Sequence, residues 1–320
     1  MPRCQDWSLI TSLIMPLFTV LISLVKQSLA EVTVEQSPLG AVVKIDGQLF
    51  TEYIIQSGNK PILWPIIGPT GKPMTRAFPM ENQTDEKKDH PHQRSMWFTH
   101  GAVNGIDFWT EGAGRGSIKH RDFVKLQSGK TGLIVTRNDW LAPDGKCQCE
   151  DQRTLIFGAD AVSRWIDFCI TIQALDKPVT LGDTKEGTFG LRVVEPLAVE
   201  SHQGGRIINS NGQLNNDTWG KAASWVDYHG SIDCQTVGIA ILNHPSSFHY
   251  PTFWHVRGYG LFAANPFGLR EFSGDSQKDG THSIQSGKSI TLRYRVLFHL
   301  GDEKVGKIAQ AFSNYSKQEE

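Results

Sequence analysis

The densest group of chemically versatile side chains in this sequence lies in residues 89–101, DHPHQRSMWFTHG. His92 and His100 can exchange protons near neutral pH without a large pKa shift. Arg94 offers planar N–H donors to hydroxyl or carboxylate groups, and Trp97 offers an aromatic ring face. The mixture predicts acid–base chemistry on a polar substrate, with the two histidines as catalytic candidates and the other two residues as substrate contacts.

A second group follows in residues 244–260, where three histidines and several aromatic residues accompany an arginine. Trp254 and Tyr259 offer ring faces on which the apolar C–H face of a pyranose can stack. Arg257 can fix hydroxyl or carboxylate groups, and His255 is a third candidate for proton transfer. This combination favours a sugar as the ligand over a phosphate or a nucleic acid.

Two shorter stretches add one polar candidate each. Glu186 lies between flexible residues in a predicted turn at residues 182–190. A single carboxylate in a loop is often only solvated, and a substrate contact is the alternative interpretation. His229 lies among aromatic residues at 224–230 and is also predicted to contact the substrate.

The composition limits the classes of protein to which this chain can belong. Its 320 residues include 32 Lys and Arg and 33 Asp and Glu, which gives a formal net charge of −1. Hydrophobic residues at 39% and charged residues at 20% exclude a disordered chain and a coiled coil. Because there is no excess of positive charge, we expect no nucleic-acid partner.

The N-terminal residues 1–30 are typical of a signal peptide. Residues 9–25 are almost wholly apolar, and small residues precede a cleavage point after Ala30. We therefore expect a periplasmic or secreted protein without membrane contact beyond this segment, although the run is also close to the length of a retained anchor. The rest, residues 31–320, is predicted to be a single β-sandwich domain.

Alternating apolar residues separated by turn signals run through most of the chain. Four successive segments predict a meander of antiparallel strands, at residues 117–126, 132–140, 147–157 and 162–174. Other short apolar runs predict further strands, at residues 32–34, 41–45, 48–55, 62–67, 236–242 and 289–299. The polar residues 75–94 between two of these runs predict a long loop, and such loops are often functional.

Only the end of the chain has helical spacing. Apolar residues recur from Val305 to Phe312 at intervals of three and four, behind a candidate N-cap at Asp302. Strands and helices do not alternate, which disfavours a doubly wound or barrel fold of the α/β class. The predicted fold class is all-β, a large antiparallel β-supersandwich with a short C-terminal helix.

Residues 89–101, 104–109 and 252–268 together resemble the PmoA-like family of exported bacterial proteins, which carries the label methane oxygenase PmoA. The resemblance extends over most of the chain after the predicted signal peptide. In fold, that family resembles the galactose mutarotase-like supersandwiches, where a histidine and a carboxylate act around the sugar ring oxygen and the anomeric hydroxyl. The resemblance implies that His100 takes the place of that histidine and Glu271 that of the carboxylate.

Three functions remain open from the sequence. The first is acid–base chemistry on a sugar or oligosaccharide, as an epimerase, lyase or hydrolase, with neither cofactor nor metal site expected. The second is non-catalytic sugar binding in the same cleft. The third, in line with the family label, is metal-dependent oxidation, which requires two or three histidines to converge on one ion. His90 and His92 on an extended segment could contribute two such ligands.

Overall fold

The computed structural model describes residues 30–84 and 86–318, which form two eight-stranded sheets and a two-stranded ribbon. The strands in chain order are β1 (Val32–Ser37), β2 (Gly40–Ile45), β3 (Gln48–Ser57), β4 (Lys60–Ile66), β5 (Met96–His100), β6 (Ser117–Gln127), β7 (Gly132–Leu141), β8 (Cys147–Ala159), β9 (Ser163–Gln173), β10 (Val179–Leu181), β11 (Gly187–Arg192), β12 (Arg206–Asn209), β13 (Trp225–Ile232), β14 (Gln235–Asn243), β15 (Phe253–Val256), β16 (Leu261–Asn265), β17 (His282–Ile284) and β18 (Ser289–Leu300). Two α-helices accompany them, α1 (Leu269–Ser273) and α2 (Ile308–Tyr315).

Neighbouring strands are antiparallel in both large sheets. The first sheet has the order β1-β2-β3-β4-β5-β11-β16-β15, and the second has the order β12-β13-β14-β18-β9-β8-β7-β6. The short strands β10 and β17 pair with each other. The predicted meander is confirmed, because β6, β7, β8 and β9 are neighbours in that sequence at one side of the second sheet.

A row of stacked aromatic rings joins the two sheets in the core. Phe98 on β5 and Phe189 on β11 lie on either side of Phe168 from β9, with ring centroids 6.1 and 4.7 Å from it. Tyr294 on β18 continues the row 5.0 Å beyond Phe189. Each buried ring contributes about 2 kcal/mol through the loss of apolar surface to water. The row therefore fixes the middle strands of both sheets against each other.

The predicted fold class is confirmed as an all-β antiparallel sandwich with a short C-terminal helix. The predicted helix start is wrong, because α2 begins at Ile308. Asp302 instead accepts hydrogen bonds from the backbone N–H groups of Lys304 and Val305, at 3.1 and 2.9 Å. It therefore caps the turn that precedes the helix. The short helix α1, which carries Glu271, was not predicted.

Several strands of the first sheet were missed because they are buried on both faces. Every residue of β11 and of β16 is buried, so neither strand has the apolar and polar alternation by which strands are recognised. The predicted turn at residues 182–190 is wrong in its second half, where β11 begins at Gly187. Its first half is a loop, and that loop carries Glu186.

The predicted signal peptide lies, except for Ala30, outside the described residues. Within the described ranges, no helix combines the length and the apolar character needed to span a bilayer.

A buried carboxylate between two imidazoles lies on the outer face of the second sheet. Asp227 on β13 accepts hydrogen bonds from His229 Nδ1 and from His299 Nε2, both at 2.7 Å. His299 also donates from Nδ1 to the carbonyl of Leu300, so both of its nitrogens carry protons. Although burial opposes the charged form, the Asp227 carboxylate raises the pKa of His299. The group is therefore a buried ion pair, distant from the core aromatics.

Replacement of that carboxylate should destabilise the protein. Asp227→Asn leaves the His299 imidazolium without its counter-charge, and we expect the free energy of unfolding to fall by about 3 kcal/mol. Urea unfolding at neutral pH measures this change. Asp122→Asn is the matched control, because Asp122 pairs with Arg137 at an exposed site and should leave the midpoint nearly unchanged. Equal midpoints for the two variants would contradict a stabilising role for the buried pair.

Candidate functional site

A cavity of about 440 Å³ brings together residues from distant parts of the chain. It lies on the first sheet, on the face that points away from the core. Five of the residues predicted from the sequence line it, namely His92, Glu186, His255, Arg257 and Tyr259. His90, considered from the sequence only as a possible metal ligand, also lines it, as do four residues that were not predicted, namely Gln93, Thr110, Lys185 and Glu200. The cavity is therefore lined mainly by polar and titratable groups.

The pleat of β15 decides which residues of the second group reach the cavity. Trp254 is fully buried in the core, and its Nε1 donates to the carbonyl of Ala223 at 2.9 Å. The next residue, His255, points to the opposite face and lines the cavity. Arg257 and Tyr259 follow in the turn between β15 and β16. The predicted stacking of a sugar on Trp254 thus has no support from its position.

Hydrogen bonds to main-chain oxygens hold residues 182–186, here called the Glu186 loop. Four of its five carbonyls accept from neighbouring strands or their ends: Gly182 from His100 Nε2 at 2.9 Å, Thr184 from Asn265 Nδ2 at 2.8 Å, Lys185 from His255 Nδ1 at 2.8 Å, and Glu186 from the Gly101 N–H at 2.7 Å. A carbonyl oxygen can only accept. His100 therefore carries its proton on Nε2, and His255 carries its proton on Nδ1.

Both of these histidines are neutral at physiological pH. Burial lowers the pKa of His100 to about 4. Burial and the nearby Arg257 guanidinium lower the pKa of His255 to about 3. The unprotonated Nε2 of His255 accepts a hydrogen bond from Arg257 Nε at 3.2 Å. Both histidines were predicted as proton donors and acceptors, and both instead hold the Glu186 loop. His255 also holds Arg257.

Glu186 and His92 are the two titratable side chains on the cavity wall with opposite tendencies. Burial raises the pKa of Glu186, and the nearby Asp107 and Glu271 carboxylates add to the rise. Burial lowers the pKa of His92 to about 4, with a further contribution from the Lys60 ammonium. Among the residues that the structure describes, neither side chain has a protein hydrogen-bond partner. At neutral pH His92 is therefore unprotonated, and the protonated form of Glu186 persists to higher pH than is usual for a glutamate.

Tyr259 forms a fixed part of the wall rather than an open stacking platform. The His90 ring lies parallel to it, with centroids 5.1 Å apart, and the Arg192 guanidinium lies 4.6 Å from its centroid. Arg192 is held in turn by Gln93 Oε1 at 2.6 Å and by Asp89. Since protein groups already lie against the ring, the Tyr259 hydroxyl is the part left to meet a ligand.

Three other predicted contacts lie away from the cavity. Trp97 is buried against Trp109, with ring centroids 5.3 Å apart. The Arg94 guanidinium forms a two-point pair with Glu111, at 2.7 and 2.8 Å. His229 belongs to the Asp227 group on the outer face of the second sheet. Each of these side chains already has a structural partner.

The two residues implied by the mutarotase-like resemblance do not meet in the cavity. His100 is 1% exposed and lies behind the Glu186 loop, where it contacts the Phe267 ring. Glu271 is exposed on α1, with an oxygen 4.0 Å from Lys185 Nζ. The half-buried carboxylate that the cavity does contain is Glu186.

The family model described as "Family of unknown function (DUF6807)" matches residues 40–313. The chain belongs to this family. No curated protein matches the sequence. The resemblance to PmoA-like proteins stays a prediction that none of these comparisons tests.

Solved structures with some similarity to this DUF6807 chain share little sequence with it. A beta-arabinopyranosidase is 11% identical with a TM-score of 0.31, and the match covers 86% of this chain and 39% of that chain. The alpha-galactosidase from Lactobacillus brevis is 9% identical with a TM-score of 0.42, and the match covers 85% of this chain and 39% of that chain. The Slr1438 protein from Synechocystis sp. PCC 6803 is 12% identical with a TM-score of 0.34, and the match covers 87% of this chain and 93% of that chain. The DUF6807 chain thus spans well under half the length of the first two.

The residues that sequence reasoning missed fall into two kinds. Gln93 and Lys185 lie beside predicted candidates, and Thr110 directly follows residues 104–109, so their neighbourhood was a usable signal. Glu200 lies in a short 3-10 helix, Val199–Ser201, and no motif marks it. Within residues 30–84 and 86–318, no three His, Cys, Asp or Glu side chains are arranged to hold a metal ion.

The buried neutral state of His100 should make stability depend on pH. Because its pKa is 6.5 ordinarily and about 4 in the folded protein, unfolding takes up a proton between these values. The free energy of unfolding should therefore rise with pH across this window, by about 3 kcal/mol from this group. Urea unfolding at a series of pH values measures the slope.

His100→Gln isolates this contribution. Glutamine keeps an N–H donor for the Gly182 carbonyl but does not titrate, so the slope between pH 4 and 6.5 should flatten. His202→Gln is the control, since His202 is exposed. A His100→Gln slope equal to that of the unmodified protein would refute the assignment.

Proposed function

We propose that this DUF6807 chain is an exported carbohydrate-active protein that performs acid–base chemistry on a sugar or oligosaccharide in the cavity. One observation carries the proposal. Glu186 and His92, from segments far apart in the chain, line the same cavity with side chains that have no protein hydrogen-bond partner in the described ranges. Groups of this kind are available to a ligand, whereas those of Arg94 and His229 are already engaged.

Glu186 is the proposed general acid. Its raised pKa keeps part of the carboxyl population protonated at higher pH than is usual for glutamate. A protonated carboxyl can donate to a ring or leaving-group oxygen of a sugar as that oxygen gains negative charge. The Glu186 loop holds the residue in place through its main chain, so the carboxyl itself needs no protein partner.

His92 is the proposed general base. At neutral pH its imidazole is unprotonated, and it can take a proton from a sugar hydroxyl or an acidic C–H. One proton leaves the substrate at His92 while one arrives from Glu186, so the total charge of the site is unchanged by the step. Environments that shift two titratable groups in opposite directions are the usual basis for such a division of roles.

The remaining polar groups are proposed to orient the sugar. Arg257, Lys185 and the Tyr259 hydroxyl can donate to sugar oxygens, and Glu200 can accept from sugar hydroxyls. His255 acts through Arg257, because it accepts from Arg257 Nε and has no proton to give at that nitrogen. A set of donors and acceptors fixed in this way suits a ligand with many hydroxyls.

Removal of the acid or the base should greatly reduce turnover and leave folding intact. We expect Glu186→Gln and His92→Gln each to reduce turnover about 10²- to 10⁴-fold, the range typical of one general acid or base. The assay is a panel of mono- and oligosaccharides followed by NMR for anomeric exchange, epimerisation, elimination and cleavage. Glu35→Gln, an exposed change on β1, is the control and should keep full activity.

The same panel separates catalysis from binding alone. If sugars raise the melting temperature but none is converted, the protein is a sugar-binding protein and the acid–base assignment fails. If conversion occurs and survives Glu186→Gln, the acid is a different residue. Loss of turnover with retained ligand-induced stabilisation in Glu186→Gln supports the assigned role.

The pH dependence of kcat/KM gives an independent check. The base must be unprotonated, so activity should rise with pH through about 4, the pKa of His92. The acid must be protonated, so activity should fall again as Glu186 ionises, above the ordinary glutamate range. In Glu186→Gln the acid is absent, so the fall of kcat/KM at higher pH should disappear from the profile. A rate that keeps rising through neutral pH would contradict Glu186 as the proton donor.

A further inference from the structure

Two contacts, one to His255 and one to Trp219, hold the Arg257 guanidinium at the cavity wall. Its Nε donates to His255 Nε2 at 3.2 Å, and His255 is itself fixed by its hydrogen bond to the Lys185 carbonyl. The guanidinium carbon lies 4.8 Å from the ring centroid of Trp219. A planar cation against an aromatic ring keeps its plane, so the directions of the remaining N–H donors are set before any ligand arrives.

The Arg257 guanidinium lacks the carboxylate partner that three other arginines have. Arg76, Arg94 and Arg192 each pair with a carboxylate at 2.6 to 2.9 Å. For Arg257, residues 30–84 and 86–318 provide no carboxylate within ion-pair distance and no acceptor for either Nη. A half-buried guanidinium with four N–H donors left over is a site for an anion that can accept two parallel hydrogen bonds.

We propose that the sugar bound in this cavity is acidic, and that its carboxylate forms a two-point ion pair with Arg257. This inference rests on the proposed function, and it narrows the substrate class to uronic acids and chains that contain them. Lys185 adds a second cation to the same wall. Glu186 and Glu200 line the cavity too, and they disfavour a dianion, so a singly charged carboxylate fits better than a phosphate.

The proposal gives His255 a definite role as a positioning residue. Its neutral ring accepts from Arg257 Nε and so leaves both Nη groups of this cavity-lining residue to a ligand. The same ring donates to the Glu186 loop. One histidine thus sets the distance between the group that would bind the carboxylate and the loop that carries the proposed acid.

Binding by calorimetry on the full chain tests the inference. The probes are D-galacturonate and D-glucuronate with their short oligomers, the methyl esters of the two acids, D-galactose and D-glucose, glucose 6-phosphate, and cyclohexanecarboxylate. The acids should bind at least about 10-fold more tightly than their esters, since the ester loses one charged hydrogen-bonded pair. Arg257→Gln should weaken acid binding at least about 30-fold, as expected when one partner of such a pair is removed.

Two further variants keep the result interpretable. Arg257→Lys retains the charge without the two-point geometry, and it should fall between the unmodified protein and Arg257→Gln. Arg206→Gln, an exposed change on β12 in the other sheet, should bind like the unmodified protein. Melting temperatures without ligand establish that each variant is folded.

The other outcomes separate this inference from the function on which it rests. Equal binding of neutral sugars and acids, tighter binding of glucose 6-phosphate, or an acid preference that survives Arg257→Gln would overturn the inference and leave a carbohydrate site. Cyclohexanecarboxylate binding as tightly as the uronates would support the anion site but contradict a sugar ligand. If no probe binds, the inference is wrong, and the turnover assay decides the proposed function independently.

Discussion

The need to satisfy the main-chain carbonyls of the Glu186 loop organises the whole candidate site. Residues 182–186 do not form a strand, so most of their carbonyl oxygens need donors other than a regular sheet ladder. They receive them from His100 at the end of β5, His255 on β15, Asn265 on β16 and the N–H of Gly101. Elements far apart in sequence are thereby joined, and the cavity takes its shape from where these donors stand.

The same constraint explains why two histidines that look catalytic are held in fixed tautomers. Each donates to a carbonyl, and that bond fixes which ring nitrogen carries the proton. Burial, which opposes the charged form, lowers the pKa values of His100 and His255 to about 4 and 3. Among the described residues, the side chains of Glu186 and His92 have no hydrogen-bond partner, so both can exchange a proton with a ligand. Buried structural histidines and available ones thus differ in their partners rather than in their residue type.

The sequence predicted strands correctly where apolar and polar residues alternate along the chain. The strands β7, β8 and β9 were predicted because buried residues on one face alternate with more exposed residues on the other. The wholly buried β11 and β16 lack that contrast and were missed. For the site, residue type located the right stretches, but the pleat and the cross-strand partners decided which members reach the cavity. Trp254 and His255 are adjacent and face opposite ways, and Glu200 had no local signal at all.

Main-chain anchoring also has an evolutionary consequence. Because the Lys185 carbonyl is what its neighbours bind, the side chain at Lys185 can change without loss of the bonds that fix the backbone. Thr184 is less free, since its Oγ1 accepts from the Glu186 N–H at 3.1 Å. The opposite holds at Gly101, where a β-carbon would lie 2.8 Å from both the Cβ and the carbonyl oxygen of Glu186. We therefore expect Lys185 to tolerate substitution, and with it a change of ligand preference, far better than Gly101 does.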